Sequence, residues 1–456
     1  MDSFKNLCNY FFSKSRTHYF FTTIFTLTLI VFFFLFSACS DGGPASPPAI
    51  SSTSLPSRRR SPSDELTPLP PPAFLSGARL ASQSYTACST TITIPAEKTA
   101  EEKFDSCDIF DGSWVIDEGS KPVYEPGSCP FVDDSFDCFK NGRPDSDYLK
   151  LKWKPHACKI PRFDGVKMLK LLKGKRMVFV GDSLNRNMWE SLVCAMRESL
   201  SDKTKVFEVS GLRQFRSQGF YSFIFKDFNC SIDFVKSPFL VQEWKFLDKA
   251  GTRRETLRLD MMEGSYNKYY DADVIVFNTG HWWTHQKTFQ GKYYFQEGNH
   301  VYNKLAVADA YKKALKTWAQ WVDENIDSSK TSVFFRGYSA SHFKGGQWNS
   351  GGSCDGETKP ITNETQLSPY PWMMRALESV LMKMKTPVFY LNITKMTDYR
   401  KDGHPSIFRR SSSNIKNRVF QDCSHWCLPG VPDSWNELLY AILVQSQNQK
   451  LSSFVH

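Results

Sequence analysis

The 456-residue chain lacks the signatures that most quickly assign a function: no Cys-x2-Cys pair, no zinc-finger spacing, no RNP or helix-turn-helix motif, no internal repeat. Nucleic-acid binding therefore has no support beyond charge. That charge is modest, since 57 Lys and Arg against 47 Asp and Glu give +10. Such a surplus favours anionic surfaces or polymers without specifying one. Twelve cysteines are too few for a scaffold held mainly by disulfides, yet many for a reduced cytosolic enzyme. With 41% hydrophobic and 15% aromatic residues the chain is no disordered polymer. Its length suits one large domain, or one domain with a small accessory one.

Charge is absent altogether from residues 19–40, YFFTTIFTLTLIVFFFLFSACS. A run of about 20 apolar residues spans a bilayer as a helix. Lys5, Lys14 and Arg16 precede it and Asp41 follows. The positive-inside rule then makes 1–18 a cytosolic tail and sends everything after the anchor across the membrane. Ser37-Ala38-Cys39 leaves a cleaved signal peptide as the alternative, but the apolar run exceeds the usual ~7–15 residues of a signal core. Both place the rest in the secretory lumen. Ten cysteines at or after Cys88, and acceptor triplets at Asn229, Asn363 and Asn392, suit an oxidising, glycosylating compartment.

Residues 41–104 begin Pro/Ser-rich, cannot bury enough apolar surface to fold, and read as a luminal stalk. Residues 105–165 hold four cysteines with little helical periodicity and read as a small disulfide-stapled module. From 166 to 456 short apolar strands alternate with helices. Strands are expected at 177–180, 274–277, 332–335 and 388–391. Helices are expected at 187–200, 306–322, 371–384 and 434–444, with an aromatic hairpin over 220–234. Alternation of this kind predicts an α/β fold with a central parallel sheet flanked by helices.

Chemistry concentrates at 178–187, VFVGDSLNRN. A strand ends in Gly181, and a helix starts at about Asn187, so Ser183 sits on a tight turn at the carboxyl end of a strand. Parallel sheets bind ligands there. A serine needs a base to act as nucleophile. Asp422-Cys-Ser-His425 is the only Asp-x-x-His among nine histidines, and lies between Cys423 and Cys427 just before the last helix. One turn lets the carboxylate hold the imidazole Nδ1 and leaves Nε2 for Ser183. The alternatives are an ordinary helix start and a solvated loop histidine. Asn278 ends another strand and reads as an amide donor to an oxyanion beside the Ser183 N–H, or as a capping or turn asparagine; Gly211 is a weaker candidate for a third donor and reads first as a turn glycine. His281, Trp282, Trp283 and His285 read as a sugar platform or as core, His342 as part of a polar glycine-rich loop, and Arg186 as an orienting cation or a plain surface arginine. His281 and His285 have no carboxylate suitably placed for a metal, and none is expected.

The Gly-Asp-Ser after a strand and the distal Asp-x-x-His resemble the GDS(L)/SGNH esterase-type fold. Longer runs are similar to the plant trichome birefringence-like family: 107–115 (CDIFDGSWV), 124–131 (YEPGSCPF), 141–145 (NGRPD), 153–155 (WKP), 180–189, 277–283 and 422–435 (DCSHWCLPGVPDSW). The resemblance covers roughly 105–450 and implies an SGNH-hydrolase-like sheet. It implies a Golgi-membrane, single-pass O-acetyltransferase acting on a cell-wall polysaccharide, xylan first and pectin second. Ser183 would be nucleophile, His425 base and Asp422 its orienter. It also implies an acetyl donor (acetyl-CoA or another carrier) with no tightly bound cofactor, and other Golgi wall-synthesis proteins as partners. By the family pattern the disulfides would be Cys107–Cys158, Cys129–Cys194, Cys138–Cys427 and Cys354–Cys423, leaving Cys88 and Cys230. An acetylesterase with the same triad, and a non-catalytic wall-polymer binding protein, are the competing functions.

Overall fold

In the computed structural model, residues 107–119, 121–247, 250–409 and 421–453 are described. The segments expected to be an anchor and a stalk, and Cys88, lie outside them. The described residues all belong to one compact unit, Pro95–His456. In chain order the elements are β1 (Gly112–Ile116), β2 (Leu151–Pro155), α1 (Gly165–Leu171), β3 (Arg176–Gly181), α2 (Ser183–Glu198), β4 (Val206–Glu208), β5 (Phe220–Phe225) and β6 (Cys230–Lys236). Then come β7 (Val241–Leu247), β8 (Arg253–Met262), β9 (Val274–Phe277), β10 (Phe295–Glu297), β11 (His300–Val301), α3 (Val307–Asn325) and β12 (Ser332–Arg336). The chain closes with α4 (Trp372–Leu381), β13 (Val388–Leu391), α5 (Thr394–Asp398) and α6 (Val431–Ser453).

Seven strands form the main sheet in the order β13-β12-β9-β3-β6-β5-β4. The sheet is mixed rather than wholly parallel: β13, β12, β9, β3 and β6 run parallel, and β5 and β4 continue the edge by antiparallel pairing. The aromatic segment at 220–234 supplies that antiparallel turn-back. A second, four-stranded sheet, β11-β10-β8-β7, was not anticipated; its strands carry many charges and show no clean alternation.

Side-chain alternation along the buried strands builds a three-layer core. Met177, Phe179, Val276 and Phe334 face α1, α2 and α6, where they meet Leu192, Trp189 and Leu438. Val178, Val180, Ile275, Phe277 and Phe335 face α3 and α4, meeting Trp318 and Leu377. The spacing Ala310, Tyr311, Ala314, Leu315, Trp318 gives α3 one apolar stripe, as a helix laid on a sheet requires.

The cysteine-rich segment is not a free-standing module. Ile109 and Trp153 lie within the larger core, and the Trp114 indole N–H donates to the Met396 carbonyl at 2.8 Å. Disulfides join Cys107–Cys158, Cys129–Cys194, Cys138–Cys427 and Cys354–Cys423. The second reaches α2, and the third and fourth grip the loop that carries His425. Cys230 is a buried free thiol whose pKa is pushed up to about 12 by burial.

Candidate active site

The parallel order reverses at β3. The chain leaves it for β6 on one side and returns to β9 on the other, which opens a crevice at the carboxyl ends of these strands. Ser183 stands there. It is the first residue of α2, four positions earlier than the sequence pattern predicted, because Asp182 caps the helix by accepting the Leu184 N–H at 2.9 Å. Among residues 181–190, Ser183 alone is not buried. Its N–H heads the helix and has no acceptor among the described residues, as expected of a first-turn amide.

Gly181 is required for a reason other than the turn. A Cβ there would lie 1.8 Å from Asn278 Oδ1. That close approach lets the Asn278 side chain clamp Asp182: Oδ1 accepts the Asp182 N–H at 3.0 Å and Nδ2 donates to Asp182 Oδ1 at 2.8 Å. Asn278 thus takes the turn-holding role that was the alternative to an oxyanion donor, with one of its two amide hydrogens used behind the serine. Gly211 is the turn glycine of its first reading, not the third donor. Its N–H donates to the Glu208 carbonyl in a left-handed turn (φ 69°) and is not offered to the site.

Ser183 Oγ lies 2.7 Å from His425 Nε2, and His425 Nδ1 lies 2.9 and 3.1 Å from the two Asp422 oxygens. Asp422 Oδ1 also accepts the backbone N–H groups of Ser424 and His425, at 3.2 and 3.1 Å. Burial would raise the Asp422 carboxyl, but the adjacent imidazole, with Arg409 and the backbone bonds, holds it well below the ordinary carboxylate range. Asp422 is thus an anion that orients His425 and leaves Nε2 toward the serine.

The histidine loop is fixed from several sides, mostly by residues that carry no sequence signal. Asn187 on α2 binds both backbone groups of Trp426, accepting its N–H at 2.8 Å and donating to its carbonyl at 3.1 Å. His404, fully buried, lies with Nδ1 2.7 Å from the His425 carbonyl and stacks on Trp426. His342 sits behind it, with Nδ1 2.7 Å from His404 Nε2 and Nε2 2.9 Å from the Asp398 carbonyl. The expectation that His342 contacts substrate is corrected: both its ring nitrogens are used internally.

Three further expectations change. Arg186 is no surface arginine; buried, it bonds Asp133 Oδ2 at 3.1 Å and Glu190 Oε1 at 2.6 Å. His281 lies with Nε2 2.8 Å from the Ser339 carbonyl and Nδ1 3.4 Å from Asp182 Oδ2, stacked on Tyr338. Its Nε2 is held by the Ser339 carbonyl, which turns the Nδ1 edge of the ring toward Asp182. Arg336, the last residue of β12, is fully buried with Nη2 3.8 Å from Asp182 Oδ1. Of the aromatic pair, Trp283 is core, its indole N–H donating to Thr279 at 2.9 Å, whereas Trp282 lines the cleft. His285 is exposed on the following loop and does not line the cleft. Asn229 and Asn363 are exposed, but Asn392 is half-buried with its Oδ1 fully covered, so the fold does not present it as an open acceptor.

The cleft over Ser183 has a volume of about 180 Å³ and includes Arg186, Phe215, Arg216, Lys236 and Trp282 in its lining. It is too small to enclose a sugar chain, since drug-sized ligands fill roughly 300–1,000 Å³. An acyl group fits inside and anything longer lies across the mouth. A larger groove, about 830 Å³, runs between α3 and α4 and contains no candidate nucleophile–base pair.

Glu190, under the cleft, has its pKa pushed up to about 8 by burial and the nearby Asp133, despite its bond to Arg186. A raised carboxyl stabilises the fold fully below its unfolded value and loses that contribution as pH rises through about 8. The melting temperature is therefore expected to drop by on the order of a few degrees between pH 5.5 and 8.5. Glu190→Gln should remove much of that slope. An unchanged slope in calorimetry of the variant would contradict the assignment.

The profile described as "PC-Esterase: GDSL/SGNH-like Acyl-Esterase family found in Pmr5 and Cas1p" matches residues 160–442, and the PMR5 N terminal Domain matches residues 105–159. "Protein trichome birefringence-like 4" of Arabidopsis thaliana is 62% identical over 361 residues, covering 78% of this chain and 79% of that one. "Protein trichome birefringence" of the same plant is 59% identical over 352 residues, covering 76% of this chain and 58% of that one. "Protein trichome birefringence-like 9" is 40% identical over 78% of this chain and 88% of its own length. The chain thus spans a little over half the length of the second relative. The serine at a strand's carboxyl end, the paired Asp-x-x-His and these matches agree: the chain belongs to the GDSL/SGNH-like acyl-esterase family and, within it, to the trichome birefringence-like proteins.

Proposed function

We propose that the protein transfers acetyl groups to hydroxyls of a plant cell-wall polysaccharide, xylan or next pectin, in the Golgi lumen, tethered by its N-terminal apolar segment. The observation that carries this is the 2.7 Å contact between Ser183 Oγ and His425 Nε2, with Asp422 behind it. His425 takes the serine proton as Ser183 attacks the carbonyl of an acetyl donor. The donor's leaving group receives that proton, and acetyl-serine remains. A sugar hydroxyl at the cleft mouth then gives its proton to His425, attacks the acetyl carbonyl and regenerates Ser183. In both steps the free Ser183 N–H at the head of α2 faces the developing oxyanion, aided by the positive end of the helix.

Water competes as acceptor. The His425 side chain is 22% exposed, so hydrolysis by the same machinery is the second reading. Incubation of the full-length chain with an acetyl donor and a panel of unacetylated glycans, read by mass spectrometry, separates the two. Acetyl-Ser183 and acetylated glycan are expected. Free acetate released as fast with glycan as without it would make the protein an esterase.

A further inference from the structure

Lys287 has no place in the relay just described, yet its setting is unusual. It follows Trp282 on the loop after β9. Its ammonium lies 4.0 Å from the Trp282 ring centre and 5.3 Å from that of Trp348. No carboxylate among the described residues pairs with it. Burial lowers its pKa, and the only opposing charge is the more distant Asp182. Indole faces hold a cation without neutralising it. The Trp348 loop is fixed by paired backbone bonds between Lys344 and Ser353, beside the Cys354–Cys423 disulfide that also anchors the histidine loop.

The neighbouring charges point the same way. Lys236, on the cleft lining, is exposed and makes no close ion pair among the described residues, though it feels the charge of Glu243. Three carboxylates nearby are already engaged: Asp182 faces Asn278, His281 and Arg336, Asp133 binds Arg186 and Arg216, and Glu190 binds Arg186, while Glu243 lies within the field of Lys236. The mouth is therefore cationic, with one ammonium flanked by two indoles.

We propose that Lys287 is a specificity-determining residue of the Ser183 site, and that the glycan it selects carries a carboxylate, a uronosyl unit seated against Trp282 and Trp348. This deepens the acyl-transfer reading and rests on it. The small cleft keeps a sugar chain outside it, over Trp282 of its lining and the Lys287 ammonium and Trp348 ring that adjoin Trp282. A pyranose uses both features, its C–H face against indole and its carboxylate against the ammonium. A donor phosphate would use only the charge, so the glycan is the better fit.

The test uses the full-length chain with trigalacturonate, the same trisaccharide with its carboxyls reduced, and coenzyme A, measured by calorimetry. Trigalacturonate is expected to bind at least tenfold tighter than the reduced sugar, and the ratio should shrink as salt rises. Lys287→Met, which keeps the stem between the indoles, should bring the ratio close to one, and Lys287→Arg should retain it. Trp348→Ala, at an exposed position, should weaken both sugars. An unaltered ratio in Lys287→Met, or a loss confined to coenzyme A, overturns the assignment. Acetyl-Ser183 is measured separately. If it forms while the ratio is insensitive to Lys287, the specificity assignment fails and acyl transfer stands. If the ratio depends on Lys287 but no donor acetylates Ser183, uronate binding stands and acyl transfer fails.

Discussion

Ser183→Ala is expected to reduce acetyl transfer by about 10⁴–10⁶-fold, the range seen when one member of a cooperating serine triad is removed. Stability should hardly change, because the side chain is only half-buried and alanine is well tolerated in the first turn of a helix. Asp422→Asn should cost on the order of 10⁴-fold, and the geometry says how. Asp422 Oδ1 accepts two backbone N–H groups, so the asparagine places its carbonyl oxygen there. Its NH2 then faces His425 Nδ1, which becomes an acceptor. The ring proton moves to Nε2, and His425 can no longer take the proton of Ser183. Purified variants assayed for acetylated glycan, with circular dichroism as a control for folding, check both numbers. A wall-polymer binding protein without catalysis would keep its full function in Ser183→Ala, and that result would end the enzymatic interpretation.

Much of this site was legible in sequence because its key features are local. A buried strand, Gly-Asp-Ser and a helix lie within ten residues, and Asp422 and His425 are three apart. The strands 274–277 and 388–391 end where the apolar pattern ended. The start of α2 was placed too late because 183–186 (SLNR) carries few apolar residues; the Asp182 cap decides that boundary, and capping shows only in contacts. What stayed hidden depends on long-range pairing. Asn187, Arg336 and His404 are polar residues that look like surface in the sequence. Each is buried against groups many residues away: Asn187 and His404 bond the backbone of the histidine loop, and Arg336 lies beside the Asp182 charge. His281 and His342 looked like ligand-binding side chains for the same reason: an imidazole can bond outward to a sugar or inward to a carbonyl, and only the packed fold decides.

Asp182→Asn is expected to be the most destabilising single change near the site, costing about 3–5 kcal/mol. Burial would raise this carboxyl, but His281, Arg336 and Asn278 hold it well below the ordinary range, so its contribution is complete above the unfolded value and lost on acidification. The amide variant still caps Leu184, yet it leaves the fully buried Arg336 guanidinium without an opposing charge and removes the carboxylate that faces His281 Nδ1. Breaking a buried pair costs far more than removing both partners. Asp182→Asn combined with Arg336→Met should therefore recover a large part of the loss, whereas Arg336→Met alone should strand the anion and destabilise as well. At roughly 2–4 °C per kcal/mol for a domain of 150–250 residues, and less for a larger one, the single variant should melt at least several degrees early. The three residues of Gly181-Asp182-Ser183 then have separable physical duties: room for Asn278, charge balance beneath the helix start, and the reacting hydroxyl. A melting curve of Asp182→Asn superimposable on the wild type would show that the charge beneath the serine is balanced by something other than this carboxylate.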